Sequence, residues 1–191
     1  MQASARRYLI ISQLGLFIAL VICLILIPGY LFARNEGGMS NYGIHLKTIV
    51  PYSLGFIIAA GYCLKAAQSL KPKSLITRRL RQLLFSYSTL LLLVLITTYG
   101  YKTTALLKNI HITATIVIAY FELIAAGWLC FAILRDKLNI VLLAFQFIGF
   151  IIATLTFVGL WHLLFTSQLI TIVAFGIILI RGSSSVVEQG S

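Results

Sequence analysis

Charged residues are scarce in this chain, and their scarcity is the first constraint on what the protein does. Only 10% of the 191 residues are charged and 4 are acidic, whereas 60% are hydrophobic. A soluble domain carries about a quarter charged residues, so the composition excludes a protein whose surface is mostly exposed to water. Its activity must therefore lie within a membrane or at the two membrane surfaces.

Cysteine is also scarce, and the cysteines are scattered. Cys23, Cys63 and Cys130 each lie inside an apolar run, far from one another in the sequence. Their spacing excludes a disulfide framework and a cysteine-based metal motif, and a buried free cysteine behaves as a small hydrophobic residue. No catalytic sequence motif is present either. The sequence alone therefore names no reaction, and it leaves open whether the protein is an enzyme.

Long apolar runs are what the sequence has instead. Crossing the hydrocarbon core takes about 20 residues of helix, and the runs are continuous rather than alternating, which predicts helices and not barrel strands. We expect an all-α polytopic membrane protein with a six-helix transmembrane domain over residues 1–181, followed by a disordered tail over 182–191. The predicted spans are 8–32, 49–70, 83–101, 112–134, 140–161 and 163–180.

The basic residues are divided unequally between the two sets of loops. Of the 15 lysines and arginines, ten fall in one set and four in the other, and Lys65 lies near the end of the second span. The positive-inside rule then predicts a multi-pass protein of the cell (plasma) membrane with both termini cytoplasmic. The net charge of +11 reflects this topology, and we expect no nucleic acid partner. The larger set is Arg6, Arg7, Lys71, Lys73, Arg78, Arg79, Arg81, Arg135, Lys137 and Arg181, and the smaller set is Arg34, Lys47, Lys102 and Lys108.

Two further patterns concern surfaces and packing. The basic segment from Lys71 to Arg81 is interpreted either as a topology determinant resting on the inner leaflet or as a specific site for anionic headgroups. Gly55 and Ala59 in the second span are four residues apart, a small-xxx-small pair that is typical of closely packed membrane helices.

All three histidines fall on one side of the predicted topology. His45 ends the first outer loop, His111 precedes the fourth span, and His162 lies between the fifth and sixth spans. Three imidazoles that converge at neighbouring helix ends would form a zinc site with one open position, which activates a water for hydrolysis. The alternative is that they are interfacial residues or helix caps. Cofactor content is otherwise left open.

Glu122 is the costliest residue to bury, because it lies near the middle of the fourth span. A carboxylate there costs at least about 2.5 kcal/mol unless it is protonated or paired. It follows His111 by eleven residues, which brings it to nearly the same helix face about 16 Å deeper, with Thr115 between them. Glu122 and His111 are candidate catalytic residues. The alternatives for Glu122 are a proton carrier, a headgroup ligand, or a structural carboxyl bonded to Gln146, to Tyr99 or to the serines of a neighbouring helix.

The first outer loop is the richest polar segment. Its three glycines permit tight turns, and five of its side chains offer donors and acceptors suited to a headgroup. It is interpreted either as a binding lid over the bundle mouth or as a solvated connector. With Thr115, the candidate substrate-binding residues are Arg34, Glu36, Ser40, Asn41 and His45.

The pattern resembles a known group of proteins. A Ser40-Asn41-Tyr42-Gly43 element follows the first span, and His111 opens the fourth. In these features the chain resembles the prokaryotic membrane proteins of unknown function related to the Frag/DRAM/Sfk family, which typically carry a Ser-Asp/Glu-x-Gly-like element. Asn41 stands where that family usually has an acid, which puts a carboxylate role at this position in doubt. The resemblance implies six helices and, by analogy with eukaryotic relatives, a lipid-related role.

These observations favour an integral membrane protein that binds or modifies a lipid or another amphiphile at its extracytoplasmic face. The outer loop and the histidines would form the mouth of the site, with Glu122 at its base. Two other classes stay open: a proton-coupled small-solute carrier, in which Glu122 titrates, and a non-catalytic interaction subunit of a membrane complex. Membrane lipids are the expected partners, and a homo- or hetero-oligomer is left open.

Overall fold

The chain folds into helices along the residues that the structure describes. The structure is a computed structural model, and it describes residues 3–28, 38–100 and 102–188. Six of its helices are long and apolar enough to cross a membrane, which confirms the predicted all-α architecture of six spans. In chain order the helices are α1 (Ala3–Leu26), α2 (Ser40–Ile44), α3 (Ile49–Ser69), α4 (Leu75–Thr98), α5 (Ala105–Leu129), α6 (Lys137–Phe157) and α7 (Leu164–Glu188), and a π-helical turn (Cys130–Leu134) extends α5.

The long helices alternate in direction, so the connecting segments collect at two ends of the bundle. Hydrogen bonds from Ser40 to His111 and from Met39 to Gln168 place α2 beside the first turns of α5 and α7. We call this the histidine end. The opposite end carries Arg181 and the connection from α5 to α6, and we call it the arginine end.

Several helix boundaries differ from the predicted ones, because hydropathy marks the hydrocarbon depth and not the helix itself. The helix α1 ends at Leu26, just before Pro28, where a following proline disfavours helical backbone. The helix α4 begins at Leu75, eight residues before the predicted start of its span, since the Ser74 side chain caps it by accepting from the Thr77 N–H at 3.1 Å. The helix α6 ends at Phe157 rather than at residue 161.

The last helix also runs further than predicted. Residues 182–188 belong to α7, so the prediction of a disordered tail from residue 182 is wrong for this stretch. Ser183 is fully buried, and its hydroxyl donates to the Ile180 carbonyl at 2.8 Å. A Cβ on Gly182 would lie 2.8 Å from a methyl group of Leu129, so α7 packs closely on α5 there. Internal hydrogen bonds satisfy the polar residues and allow the helix to continue.

Small residues bring α1 and α3 together over their whole length. A Cβ on Gly55 would lie 2.4 Å from the Ala19 Cβ, and one on Gly15 would lie 2.5 Å from an Ile58 methyl group. Ala59 is fully buried one turn from Gly55. The prediction that Gly55 and Ala59 are packing positions is confirmed.

Serine hydroxyls reinforce the packing between neighbouring helices. Ser12 of α1 donates to the Ala59 carbonyl of α3 at 2.8 Å, and Ser88 of α4 donates to the Ala60 carbonyl at 2.9 Å. Both hydroxyls are buried, where an unmade hydrogen bond costs several kcal/mol. They therefore tie both α1 and α4 to neighbouring carbonyls of α3.

A charged network closes the arginine end. The Arg181 guanidinium donates to the Asp136 carboxylate and to the Asn139 side chain, each at 2.9 Å. The Asp136 carboxylate also caps α6 by accepting from the Asn139 N–H at 2.9 Å. That backbone N–H, followed by the charge of Arg181, holds the pKa of Asp136 below its usual value. The carboxylate is thus charged at neutral pH, and it joins the start of α6 to α7.

Candidate functional site

The short helix α2 is packed against the histidine end of the bundle. Residues 40–43 are buried, and the Tyr42 hydroxyl donates to the Ile27 carbonyl at 3.2 Å. A Cβ on Gly43 would lie 2.4 Å from a Thr98 methyl group and 2.7 Å from the Tyr52 ring. Glycine is therefore what lets α2 lie directly on α3 and α4. The interpretation of this stretch as a solvated connector is wrong.

Packing of α2 brings Ser40 onto the imidazole of His111. The Ser40 Oγ lies 2.8 Å from His111 Nε2, and the Thr97 Oγ1 of α4 lies 3.0 Å from His111 Nδ1. The Thr97 Oγ1 also donates to a carbonyl of its own helix, lying 2.8 Å from Leu93 O and 3.1 Å from Val94 O. A hydroxyl that donates there can accept from the imidazole, so we infer the tautomer with the proton on Nδ1, in which Nε2 accepts from Ser40.

Ser40 and His111 stand at the top of a cleft between α5 and α6. The cleft has a volume of about 340 Å³ and is backed by α7. Apolar residues form most of its walls, and the Tyr120 and Phe150 rings meet across it with centroids 4.9 Å apart. The lining residues are Ser40, Lys108, His111, Ile112, Thr115, Ile116, Ala119, Tyr120, Phe150, Ala153, Thr154, Phe157, Leu164, Gln168 and Thr171.

Polar groups available to a ligand are concentrated at the histidine end of the cleft. Deeper in, the hydroxyls of Thr115, Thr154 and Thr171 each donate to a carbonyl of their own helix at 2.8–2.9 Å. They present mainly methyl groups to the cleft. Lys108 is the one charged residue among the described lining residues. The cleft is thus amphipathic, with a cationic, hydrogen-bonding head and an apolar body.

The cleft includes three of the residues singled out from the sequence, Ser40, His111 and Thr115. Asn41 is buried beside Ser40 but does not line the cleft, and His45 is exposed, with its Nδ1 accepting from the Lys47 N–H at 3.4 Å. The predictions for Arg34 and Glu36 fall outside the described residues.

The cleft residues that sequence reasoning missed include two with polar side chains at the histidine end, Lys108 and Gln168. Lys108 had been used only to assign topology, although its place three residues before His111 puts it on the same helix face. Gln168 carried no sequence signal. Its role depends on α7 lying against the segment before α2, where its Oε1 accepts from the Met39 N–H at 2.7 Å.

The predicted zinc site at the three histidines is not formed. Within the described ranges, no three His, Cys, Asp or Glu side chains lie close enough to hold a metal ion. His45 and His162 are exposed, whereas His111 is buried, with both ring nitrogens near hydroxyl groups. The three helix ends lie on the same side of the bundle, but their side chains do not converge.

Glu122 does not line the cleft that holds His111 and Thr115, so it does not form the base of this site as the sequence predicted. The carboxyl is buried and adjoins the Tyr87 hydroxyl of α4, and Tyr87 in turn faces the Gln13 amide of α1. Neither Gln146 nor Tyr99 is its partner: Tyr99 bonds to Ser53 at 2.6 Å. In the described chain, the polar atoms of Tyr87, Gln13 and Gln146 are buried without completed hydrogen bonds.

The comparisons with known proteins leave the chain without an assigned family. No family model matches it, and no curated protein or solved structure matches it either. The resemblance to the Frag/DRAM/Sfk family stays a prediction, and function has to be argued from the geometry of the cleft.

Proposed function

We propose that this multi-pass membrane protein binds a lipid or another amphiphile in the cleft between α5 and α6. The observation that carries the proposal is the separation of polar and apolar lining along the cleft. Ser40, Lys108, His111 and Gln168 supply hydrogen bonds and a positive charge at one end, and apolar walls supply the other. A ligand that satisfies both parts has a polar headgroup and a hydrocarbon chain.

The position of the cleft in the bundle supports entry from the membrane. Ile116, Tyr120 and Phe157 line it and are also 40%, 53% and 64% exposed on the bundle surface. From Lys108 to Tyr120 the α5 wall rises by about 18 Å, which is close to half of a hydrocarbon core of about 30 Å. A lipid in the leaflet at the histidine end can therefore slide its chain sideways between α5 and α6.

Filling the cleft is expected to weaken binding. Ala153 lies on the α6 wall, so Ala153→Phe places a ring in the space of the chain and should lower affinity at least about tenfold, since one occupied subsite is worth several kcal/mol. Mass spectrometry of the lipids that co-purify with the protein, and titration with a fluorescent acyl lipid, measure the effect.

The same helix offers a matched control. Ala144 is also in α6 but lies on its exposed face, away from the cleft, and Ala144→Phe should leave affinity unchanged. Equal affinities of the two variants would contradict the assignment of the cleft as the binding site.

The charge distribution supports an orientation with the histidine end extracytoplasmic and both termini cytoplasmic, in the plasma membrane. The native cysteines are buried, so they give little background in accessibility labelling. Leu46→Cys, at a residue that is 91% exposed at the histidine end, should react with an impermeant maleimide in intact cells. Lys73→Cys, at the arginine end, should react only after permeabilisation. The reverse pattern would place the cleft in the cytoplasmic leaflet.

The basic segment from Lys71 to Arg81 would then contact the anionic inner leaflet. Its lysines and the side chains of Arg78 and Arg79 are exposed on the loop and the first turns of α4. Charges near the surface contribute about 1 kcal/mol each. Arg78→Gln with Arg79→Gln should therefore increase the fraction of inverted molecules in the labelling assay, whereas Lys47→Gln should not.

A further inference from the structure

We propose that Ser40 and His111 form a nucleophile and general-base pair that cleaves or transfers an acyl ester of the amphiphile bound in the cleft. This inference rests on the proposed function, because the cleft is what would deliver the ester to Ser40. It assigns a reaction class, acyl transfer to Ser40, and a substrate class, an amphiphile in which an ester joins the headgroup to an acyl chain.

The distances satisfy the requirements of an activated serine. A nucleophile and its base need about 2.6–3.2 Å between them, with a third group that orients the base. Ser40 Oγ lies 2.8 Å from His111 Nε2, and the Thr97 Oγ1 lies 3.0 Å from Nδ1. Because the Thr97 Oγ1 donates to the Leu93 carbonyl oxygen at 2.8 Å, it can accept from Nδ1–H, and we assign the tautomer in which Nε2 takes the serine proton.

The pair is shielded from bulk water and reached through the cleft. Ser40 and His111 are 5% and 4% exposed, yet both line the cleft. An ester at the boundary between a headgroup and its chain would come to rest at their level, where the polar head of the cleft meets its apolar walls. Exclusion of water strengthens the electrostatic interactions on which acyl transfer depends.

Two cleft residues carry donors that suit the oxyanion that forms when a serine attacks an ester. The Gln168 Oε1 accepts from the Met39 N–H at 2.7 Å, one residue from Ser40, and Gln168 lines the cleft, so we assign its Nε2 as an oxyanion donor. Lys108 adds a positive charge at the same end. Removing one such donor from an acyl-transfer enzyme typically lowers kcat by about a hundredfold to a thousandfold.

The reaction balances with water or a hydroxyl-bearing amphiphile as the second reactant. Ser40 Oγ attacks the carbonyl carbon while its proton passes to His111 Nε2, and the carbonyl electron pair moves onto oxygen beside Gln168 and Lys108. When the carbonyl re-forms, the bond to the alcohol breaks, and the departing alkoxide takes the proton from His111. Water or a second hydroxyl then attacks the acyl-Ser40 ester in the same way, which releases a carboxylic acid or a new ester and restores Ser40.

A fluorophosphonate probe with a long alkyl chain tests the pair directly. The purified full-length protein in micelles should form one covalent adduct, located on Ser40 by peptide mass spectrometry. Ser40→Ala should abolish labelling, and His111→Ala should lower its rate by at least about a hundredfold. Ser53→Ala is the control: Ser53 lies near the same end in α3, hydrogen-bonded to Tyr99, and its replacement should leave the rate unchanged.

The outcomes separate catalysis from a purely structural tie between α2 and α5. If the Ser40–His111 hydrogen bond is only structural, the probe does not label the wild-type protein, and the Ser40→Ala variant still has a lower thermal midpoint than the wild type. Ser40→Cys keeps a nucleophile in place and should be acylated by a nitrophenyl ester even where Ser40→Ala does not fold. An unlabelled wild-type protein, or an adduct on another residue, overturns the inference.

Thr97 is a positioning residue for the His111 imidazole. Two substitutions separate the effect of its side-chain oxygen from the effect of its side-chain shape. Thr97→Val removes the acceptor for His111 Nδ1 and should slow labelling by roughly tenfold or more, because a misplaced base costs about that much. Thr97→Ser keeps the oxygen and should restore the rate. Equal rates in both variants would contradict this role.

The experiments distinguish a failure of the catalytic proposal from a failure of the binding proposal. Wild-type protein that binds the fluorescent acyl lipid but resists the probe would refute catalysis and leave amphiphile binding intact. Labelling of Ala153→Phe by the long-chain probe at the wild-type rate would refute the cleft as the chain site and leave the Ser40–His111 pair intact.

Discussion

Replacing Gly55 with valine is expected to prevent α1 from docking on α3. Even a single Cβ at this position would lie 2.4 Å from the Ala19 Cβ, with the Leu16 Cα and the Gly15 carbonyl oxygen behind it at 3.7 and 3.8 Å. Two of these three atoms belong to the backbone, so the helices must separate to make room. Overpacking a core typically costs 1–3 kcal/mol, and we expect about 3 kcal/mol because the contact is between helix backbones.

The same helix provides a control that isolates the contact from helix propensity. A Cβ on Gly61 would meet nothing within 4 Å, so Gly61→Val should change stability by less than about 1 kcal/mol. The measurements are the thermal midpoint in one detergent and the monodisperse fraction on size exclusion. A Gly55→Val protein as stable as Gly61→Val would show that α1 and α3 do not approach this closely.

The number of helices long enough to cross a membrane was predictable, because the length of an apolar run can be read directly from the sequence. The same reasoning misjudged where the helices end. Arg78 and Arg79 are too polar for a span, yet they lie in α4, since a helix does not stop where the hydrocarbon does and Ser74 caps it further out. Ser183 is accommodated in α7 because its hydroxyl donates to the Ile180 carbonyl of the same helix. An average of hydropathy along the sequence does not detect such a hydrogen bond.

Only part of the candidate site was predictable from the sequence, because some of its residues come together only when distant helices pack side by side. His111 and Ser40 stood out by residue type and by the resemblance. Thr97 and Gln168 did not, because their roles depend on α4 and α7 lying beside them. The zinc prediction failed on the same point: His45 and His162 share an end of the bundle with His111, but residues at one end need not meet.

Replacing Glu122 with alanine is expected to destabilise the bundle strongly. The carboxyl is buried beside the hydroxyl of Tyr87, whose ring packs edge-on against Phe175 with centroids 5.0 Å apart. Alanine would leave a cavity and deprive the buried Tyr87 hydroxyl of its neighbour. Lost packing and unsatisfied polar groups together predict a loss of about 3 kcal/mol, measured as a lower thermal midpoint.

Glutamine at the same position distinguishes a structural carboxyl from a proton carrier. Glu122→Gln keeps the volume and the hydrogen-bonding capacity but cannot exchange a proton, so a structural role predicts a change below about 1 kcal/mol and unaltered binding of the acyl lipid. Among the described residues no ion pair involves Glu122, and a lone charge at this depth is costly, which favours the structural role. The carrier alternative differs in the proton-coupled flux that it predicts, not in stability. Glu122→Gln would then keep the wild-type thermal midpoint and lose all pH-driven flux in proteoliposomes, and that result would move the centre of function from the cleft to the interior of the bundle.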